Sequence, residues 1–455
     1  MKRYGIVLGA GMGTRMKSST PKVLHQIMGK GMIEHVINTL ETINIEKIVV
    51  VTGHKAELVE EVLGSRVLYA HQSQQLGTAH ATMMTHSHLQ GLSGITIVTY
   101  GDGPLLTKKT LDELFAHHEN TGAKMTLLSA HTEHPTGYGR IIRDNNACVV
   151  RIVEQKDATE EELEITEINS GVACFDNEVL FEGLAQVENN NSQGEFYLTD
   201  LVEIISNLGH KVEAVVCQDF TETLGVNDRV QLAEASRKMQ HRINEKHMRN
   251  GVTIVDPLTT YIESDVEIAN DTIIEPNVHL RGTTIIETGA VIGTGAQLTN
   301  AKIGANTYVQ ASVITDSEVG ANTTVGPYAH LRGGSSVGEG SRIGNFVEIK
   351  NTTLGQGVKA AHLSYMGDAN IGDRVNMSCG AIIANYDGKE KHQTIIGADT
   401  MIGSNVNLIA PVEIGANAYV AAGSTINHNV PDEALAIARA RQENKLGYVV
   451  KQPEE

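Results

Sequence analysis

Tryptophan is absent from this chain of 455 residues, and aromatic residues make up only 4% of it. Cores that do without large rings must be narrow enough to be filled by Ile, Val and Leu. Cysteine is scarce as well. Cys148, Cys174, Cys217 and Cys379 stand far apart without C-x-x-C spacing, which argues against a disulfide framework or a zinc site and fits a reducing compartment. Basic residues are outnumbered: 36 Lys and Arg against 54 Asp and Glu give a net charge of −18, without the positive footprint that nucleic acid or an anionic membrane requires. Any phosphate site must therefore be local. No apolar run approaches a membrane span, and Met1-Lys2-Arg3 leads straight into a short apolar strand, so neither export signal nor anchor is expected and a cytoplasmic location is. The pairs His86/His88 and His117/His118 need no metal to explain them.

What is abundant is a period of six. Ile262, Ile268, Ile274, Leu280, Ile286, Ile292 and Leu298 fall on one strict hexad. After one-residue slips the ladder resumes at Ile303 and Val309, then runs through Val319, Val325, Leu331, Val337, Ile343 and Ile349, and again through Ile396, Ile402, Leu408, Ile414, Val420 and Ile426. Such a period marks a parallel β-helix, in which each hexad supplies a short strand and a turn and three hexads close one coil. Glycine after the ladder residue, as in Ile292-Gly293 or Ile414-Gly415, suits tight corners. The stretch corresponds to roughly nine coils and a prism roughly 40 Å long. The hexads break from Ile349 to Ile371, across Lys350, Lys359, His362 and Tyr365, and again from Ala384 to Thr394. A regular coil has no use for such breaks, so chemistry is expected there. After Asn429-Val430-Pro431 a helix is expected over 432–445, and Gln452-Pro453-Glu454-Glu455 reads as a tail.

The first 225 residues alternate strand and helix patterns, with strands at Tyr4 to Leu8, Lys47 to Val51, Ile95 to Thr99, Lys124 to Ser129 and Val212 to Val216. This predicts an α/β domain with a mostly parallel sheet and active-site loops at the carboxyl ends of its strands. The first such loop is Leu8-Gly9-Ala10-Gly11-Met12-Gly13-Thr14-Arg15, with Pro21-Lys22 behind it. Its glycines let backbone amides approach a phosphate chain, and Arg15 and Lys22 can neutralise the charge. A dinucleotide-binding turn is the rival, but it expects an acidic residue at the end of the second strand, where Val50-Val51-Thr52-Gly53-His54 has none.

Taken in order, Leu8 to Arg15 with Pro21-Lys22, Gln75-Leu76-Gly77-Thr78-Ala79-His80, Tyr100-Gly101-Asp102, Gly137-Tyr138-Gly139-Arg140-Ile141, Glu154-Gln155-Lys156-Asp157, Ile168-Asn169-Ser170-Gly171 and Gly225-Val226-Asn227 resemble the uridyltransferase half of a bacterial family. That family is the bifunctional N-acetylglucosamine-1-phosphate uridyltransferase / glucosamine-1-phosphate acetyltransferase, and the β-helix resembles its other half. The resemblance implies a Rossmann-like α/β nucleotidyltransferase domain over 1–226, a helical linker over 227–250, a left-handed parallel β-helix acetyltransferase domain over 251–436 and a tail over 437–455. It further implies acetylation of glucosamine 1-phosphate by acetyl-CoA, then transfer of UMP from UTP to N-acetylglucosamine 1-phosphate. The product, UDP-N-acetylglucosamine, is a precursor of peptidoglycan and so of cell-wall biogenesis and cell shape; a homotrimer is also implied.

Residue by residue, the resemblance implies that Asp102 and Asn227 hold Mg²⁺, oxygen donors suiting this hard ion, and that Arg15 and Lys22 serve the phosphates. Leu8, Gly9, Ala10, Gly11, Gln72, Gly77, Thr78 and Tyr100 would line the UTP side, with Gly139, Glu154 and Asn169 toward the sugar. In the β-helix, Arg332, Lys350, Tyr365 and Asn376 would take glucosamine 1-phosphate, and Cys379, Asn385, Tyr386, Ser404, Ala422 and Arg439 would take acetyl-CoA. His362 would be the general base; an unperturbed pKa of about 6.5 suits removal of an ammonium proton. The chain departs from the family at Gly9, Met12, Gly103, Gly333, Ala361, Met377-Ser378 and Ala381. Two other readings stand beside this one, a single-activity nucleotidyltransferase whose β-helix only trimerises and a sugar-nucleotide sensor.

Overall fold

The computed structural model describes residues 1–145 and 147–448; the tail at 452–455 lies outside them. The chain divides into two compact units, Met1–Met239 and Gln240–Glu455.

The first unit is built on a nine-stranded sheet. Its strands are β1 (Arg3–Leu8), β2 (Lys47–Thr52), β3 (Leu68–His71), β4 (Ile95–Tyr100), β5 (Met125–His131), β6 (Arg140–Arg143), β7 (Val149–Val153), β8 (Glu167–Asp176) and β9 (Val212–Val216). The main order is β9-β5-β8-β4-β1-β2-β3. Parallel pairs join β1 to β2 and β4, β2 to β3, and β5 to β9. Strand β8 runs antiparallel to β4 and β5, and β6 and β7 form an antiparallel hairpin beside it. Every residue of β1 after the first is buried, as expected for a strand covered on both faces. The helix Met32–Glu41 buries Met32, Ile33, Val36, Ile37 and Leu40, one apolar stripe at helical spacing. Because β2 lies on one side of β1 and the later β4 on the other, the strand order reverses at β1, which opens a crevice at its carboxyl end. Leu8 there pairs with Val51 and Tyr100, so three loops meet at one place.

The second unit is the parallel β-helix. Apart from Ile268, which is only partly buried, the ladder residues sit in one continuous aliphatic core. One wall is a stack of nine strands, from Glu267–Ile268 to Val412–Ile414. The other two walls merge into a single sheet of 19 strands. They merge because Arg342–Lys350 and Lys359–Gly367 pair on both sides of the corner between them, from Arg342↔Lys359 to Lys350↔Gly367. The corner itself is kept, with Phe346 and Leu363 in the left-handed region at φ +58° and +36°. The break expected around His362 is absent: Leu354, Ala360, Met366 and Ile371 continue the ladder in the core, with Ala and Met in place of the usual branched residues. The second break is a loop that leaves the coil, closed by a Tyr386–Lys391 bridge and by Asp387, whose carboxylate accepts from the backbone of Lys389 and Glu390.

The helix expected over 227–250 is present as Arg229–Arg249. The one expected over 432–445 is absent among the described residues. Leu435–Ala436 is instead a strand, paired with Tyr419–Val420, and the bonding continues to Ala438. The exposed backbone of the last coil needs partners, and a further rung supplies them where an isolated Ala-rich helix would not.

Close approach between coils fixes Gly344: a Cβ there would stand 1.8 Å from the carbonyl oxygen of Ala361. Gly344→Ala is expected to destabilise the β-helix by roughly 1–3 kcal/mol, the usual cost of overpacking, seen as a lower denaturant midpoint of the sheet signal.

Candidate active sites

The crevice at the end of β1 is a cleft of about 340 Å³. Leu8, Gly9, Ala10 and Gly11 line it from the first loop, Gln72, Gly77 and Thr78 from the segment after β3, Tyr100 and Asp102 from the end of β4, and Lys22 and Asn227 from elsewhere in the unit. The sequence reading missed Val23, Gln75, Ala81 and Glu195, which also line it. Gln75 lay inside a quoted motif; Glu195 lies in a loop with no pattern of its own. Gly77 has φ +116°, and a Cβ there would come within 2.4 Å of the Phe196 carbonyl oxygen, so only glycine lets these two loops meet.

At the head of the cleft four expected residues converge. The Lys22 ammonium donates to Asp102 and, at 3.1 Å, to Asn227 Oδ1, which also accepts from Arg15 at 2.9 Å. Lys22 and Asp102 are mostly buried, with side chains 16% and 15% exposed. Two hard oxygen donors thus face a single cationic centre, a donor set that fits a divalent ion bound together with phosphate oxygens. Among the described residues no group of three or more His, Cys, Asp or Glu is placed to hold a metal, so substrate oxygens and water would complete such a shell.

Gly139, Glu154 and Asn169 meet beside Tyr100. The Asn169 amide donates to the Gly139 carbonyl at 2.9 Å, the missing Cβ of Gly139 would lie 3.5 Å from the Glu154 carboxylate, and Thr199 donates to that carboxylate at 3.3 Å. Burial raises the Glu154 carboxyl above its ordinary value, against the Thr199 hydrogen bond. Burial also raises the Tyr100 hydroxyl, with help from Glu154 and Asp102. Arg140 was quoted in its motif without a role. Its side chain is almost wholly buried with no carboxylate partner, donating to the Tyr138 carbonyl and, at 2.9 Å, to Gln155 Oε1, which also accepts from the Gly137 amide. It staples the Gly137–Gly139 loop to the strand end carrying Glu154.

Beside these residues a cavity of about 300 Å³ brings Glu154, Asp157, Asp200 and Glu203 together. Asp200 is pushed up to about 6, first by burial and then by Glu154, Glu203 and Asp157. Such a carboxyl costs the fold nothing while protonated in both states, and costs more as pH rises from its ordinary 3.8 through about 6. Asp200→Asn is therefore expected to raise the Tm at pH 7, with the gain vanishing toward pH 4, as calorimetry at a series of pH values would show.

In the β-helix, Ile343, Ala360, Met377, Ile402 and Val420 stack in successive coils. Two positions beyond each stand Asn345, His362, Cys379, Ser404 and Ala422, so four expected residues share one edge. Arg439 joins them by donating to the Ala422 carbonyl at 2.9 Å. His362 is exposed, with Nδ1 3.0 Å from Asn345 Oδ1. An amide oxygen only accepts, so Nδ1 carries a proton, and in the neutral ring Nε2 holds the lone pair. Asn345 was missed; its signal is a place one coil before His362.

On the wall beyond the corner at Leu363, Arg332 and Lys350 are register partners, and Arg332 grips Glu348 Oε1 at 3.0 and 2.6 Å. The hydroxyl of Tyr365 and the amide of Asn385 converge over the bare α-carbon of Gly367. Lys391, from the excursion loop, lies against Lys350, whose hydrogen bond and charge lower its pKa. Tyr386 on that loop is exposed. Asn376 is not joined to these groups by any hydrogen bond among the described residues; it bonds to Ser378 and to the Met401 sulfur.

Comparisons with known proteins bear on both halves. The nucleotidyl transferase family model matches residues 4–225, and the model of the bacterial transferase hexapeptide matches 316–351 and 393–428, the gap holding the strand of His362 and most of the excursion loop. A bifunctional protein GlmU of Listeria monocytogenes is 52% identical over 447 residues, 98% of each chain. One of Exiguobacterium is 52% identical over 448 residues, 98% of this chain and 99% of its own. One of Staphylococcus haemolyticus is 51% identical over 451 residues, 99% of this chain and all of its own. With both transferase halves matched and relatives alike from end to end, the chain belongs to the GlmU family of bifunctional enzymes, a uridylyltransferase joined to an N-acetyltransferase on a left-handed parallel β-helix.

Proposed function

We propose that uridylyl transfer takes place in the cleft at the end of β1 and acetyl transfer at the β-helix corner beside His362. The enzyme acetylates glucosamine 1-phosphate with acetyl-CoA, then joins N-acetylglucosamine 1-phosphate to UMP from UTP, giving UDP-N-acetylglucosamine and pyrophosphate. In the first unit a sugar-phosphate oxygen attacks the α-phosphorus and pyrophosphate leaves. Arg15 and Lys22 neutralise charge on the phosphates, and the glycine loop brings backbone amides to them. Asp102 and Asn227 would hold Mg²⁺, which supplies charge neutralisation when bound. Gln72, Gly77 and Thr78 seat the nucleotide, and Gly139, Glu154 and Asn169 orient the sugar.

In the β-helix, Arg332, Lys350 and Tyr365 take the acceptor, with Asn376 from the neighbouring wall. Cys379, Asn385, Tyr386, Ser404, Ala422 and Arg439 take acetyl-CoA. His362 Nε2 accepts the amine proton as nitrogen attacks the thioester carbonyl, and the coenzyme leaves as its thiol. The observation that carries this reading is the Asn345–His362 bond, which in the neutral ring puts the proton on Nδ1 and turns the Nε2 lone pair to an exposed edge. His362→Ala is expected to cost roughly 10²- to 10⁴-fold in acetyl transfer and Asp102→Ala roughly 10²-fold or more in uridylyl transfer, each sparing the other reaction. Release of coenzyme thiol and of pyrophosphate, followed separately, checks both. Joint loss from either variant counts against two independent sites.

A cytoplasmic location is the reading that suits a product made at the entry to cell-wall synthesis. No helix among the described residues is long and apolar enough to cross a membrane. A homotrimer is supported by apolar side chains about 40% exposed along the walls, among them Ile273, Ile285, Ile382, Ile395 and Ile409, and by Tyr328, Phe346 and Leu363 near 60% at one corner. Light scattering is expected to give three times the monomer mass at micromolar concentration; a monomer mass would exclude it.

A further inference from the structure

His80 belongs to the quoted Gln75–His80 motif, yet no role falls to it in either reaction. It sits on the short helix Thr78–Met83 with its ring near Phe196, the centroids 6.3 Å apart. Its neighbour Gln72 is 3% exposed and lines the nucleotide cleft. Gln72 Nε2 lies 3.2 Å from the Gly77 carbonyl oxygen and 2.9 Å from His80 Nδ1. A carbonyl oxygen can only accept, so the Gln72 atom facing it is the amide nitrogen. Both hydrogens of that nitrogen are then committed, and His80 Nδ1 must bear a lone pair, with the ring proton on Nε2. Of the two bonds the histidine one is shorter, and the Gly77 carbonyl is shared with the Ala81 amide at 3.1 Å. Turning the amide over would set Gln72 Oε1 against the Gly77 carbonyl and against the Nδ1 lone pair unless the ring proton moved to Nδ1. In the orientation seen, no donor among the described residues reaches Oε1, and this buried acceptor is left to the cleft.

We propose that His80 is a positioning residue that sets the base specificity of uridylyl transfer, its Nδ1 lone pair holding the Gln72 amide so that Oε1, not the amide nitrogen, meets the base. The inference rests on the reading that Gln72 contacts the nucleotide base. A buried acceptor selects a base edge that carries a donor. Uracil offers a ring N–H beside its C4 carbonyl, and Gly77, whose N–H finds no acceptor among the described residues, lines the same cleft to meet that carbonyl. Cytosine presents a lone pair at the same ring atom, so it meets Oε1 acceptor to acceptor. Without His80 the amide is held only by its longer bond to the shared Gly77 carbonyl, turns more readily, and the distinction fades.

The test uses the full-length enzyme, saturating N-acetylglucosamine 1-phosphate, and either UTP or CTP, followed by pyrophosphate release. His80→Phe removes the lone pair and keeps a ring. It is expected to lower the UTP-to-CTP ratio of kcat/KM by about tenfold or more, the worth of one buried hydrogen bond, through KM for UTP, with kcat within about twofold. His80→Asn restores an acceptor close to the place of Nδ1 and is expected to keep the ratio within about threefold. Should His80→Phe be insoluble, His80→Met is judged by the same criteria. A ratio unchanged in His80→Phe, or lost equally in His80→Asn, overturns the role of His80. Gln72→Met, measured alongside, separates the two levels. If it leaves the ratio unchanged, Gln72 does not meet the base and the underlying reading falls. If it lowers the ratio while His80→Phe does not, that reading stands and the His80 inference alone fails.

Discussion

Each coil of the β-helix satisfies the backbone of the coil before it, and this pairing is the constraint on which the rest of that unit depends. A strand of two or three residues has no stability alone; stacked in register with neighbours above and below, it buries one aliphatic side chain and shares its hydrogen bonds. The same constraint shapes the exceptions. At Arg342–Lys350 and Lys359–Gly367 the pairing continues on both sides of the corner, which Phe346 and Leu363 turn in the left-handed region, so Asn345 and His362 stand in register beside it. At the end of the prism it converts residues with strong helix propensity into one further rung. Local preference yields because an unpaired wall would leave a row of backbone groups unbonded.

In the first unit the corresponding constraint is the reversal of strand order at β1. It places the loops after β1 and β4 at one edge, and the crevice is lined by backbone amides and by the Lys22, Asp102 and Asn227 side chains. Burying this cluster is acceptable only because each charge has a partner. The acidic cavity around Glu154 and Asp200 lacks such compensation, and its carboxyls respond by holding their protons to higher pH.

The two sites share a device. In each, a side-chain amide fixes the tautomer of a histidine, with opposite results. Asn345 turns its oxygen to His362, so in the neutral ring Nδ1 carries the proton and Nε2 the lone pair. Gln72 turns its nitrogen to His80, so Nδ1 must accept. The difference lies in the third partner: the Gly77 carbonyl accepts only, and favours the Gln72 nitrogen facing it. The proposed roles, proton transfer in one place and recognition in the other, thus draw on identical functional groups.

Much of this was legible in the order of residues. The hexad ladder determined the β-helix, because a period of six with an aliphatic residue at each return has one economical way to bury its apolar face, and the glycine loop with Lys22 and Asp102 marked a phosphate site because few other arrangements need those residue types after strands. That His362, Cys379, Ser404 and Ala422 fall on one edge could not be counted, because the excursion loop makes their spacing irregular; the register of the paired coils decides it. Tertiary structure alone decided what depends on partners distant in sequence. The staple from Arg140 to Gln155, Glu195 in the cleft and Asn345 behind His362 have no local pattern, since a hydrogen bond between loops leaves no period in either one. The last rung at Leu435–Ala436 was misread for the same reason: composition reports what a segment prefers alone, whereas the neighbouring coil decides which of its backbone groups go unpaired.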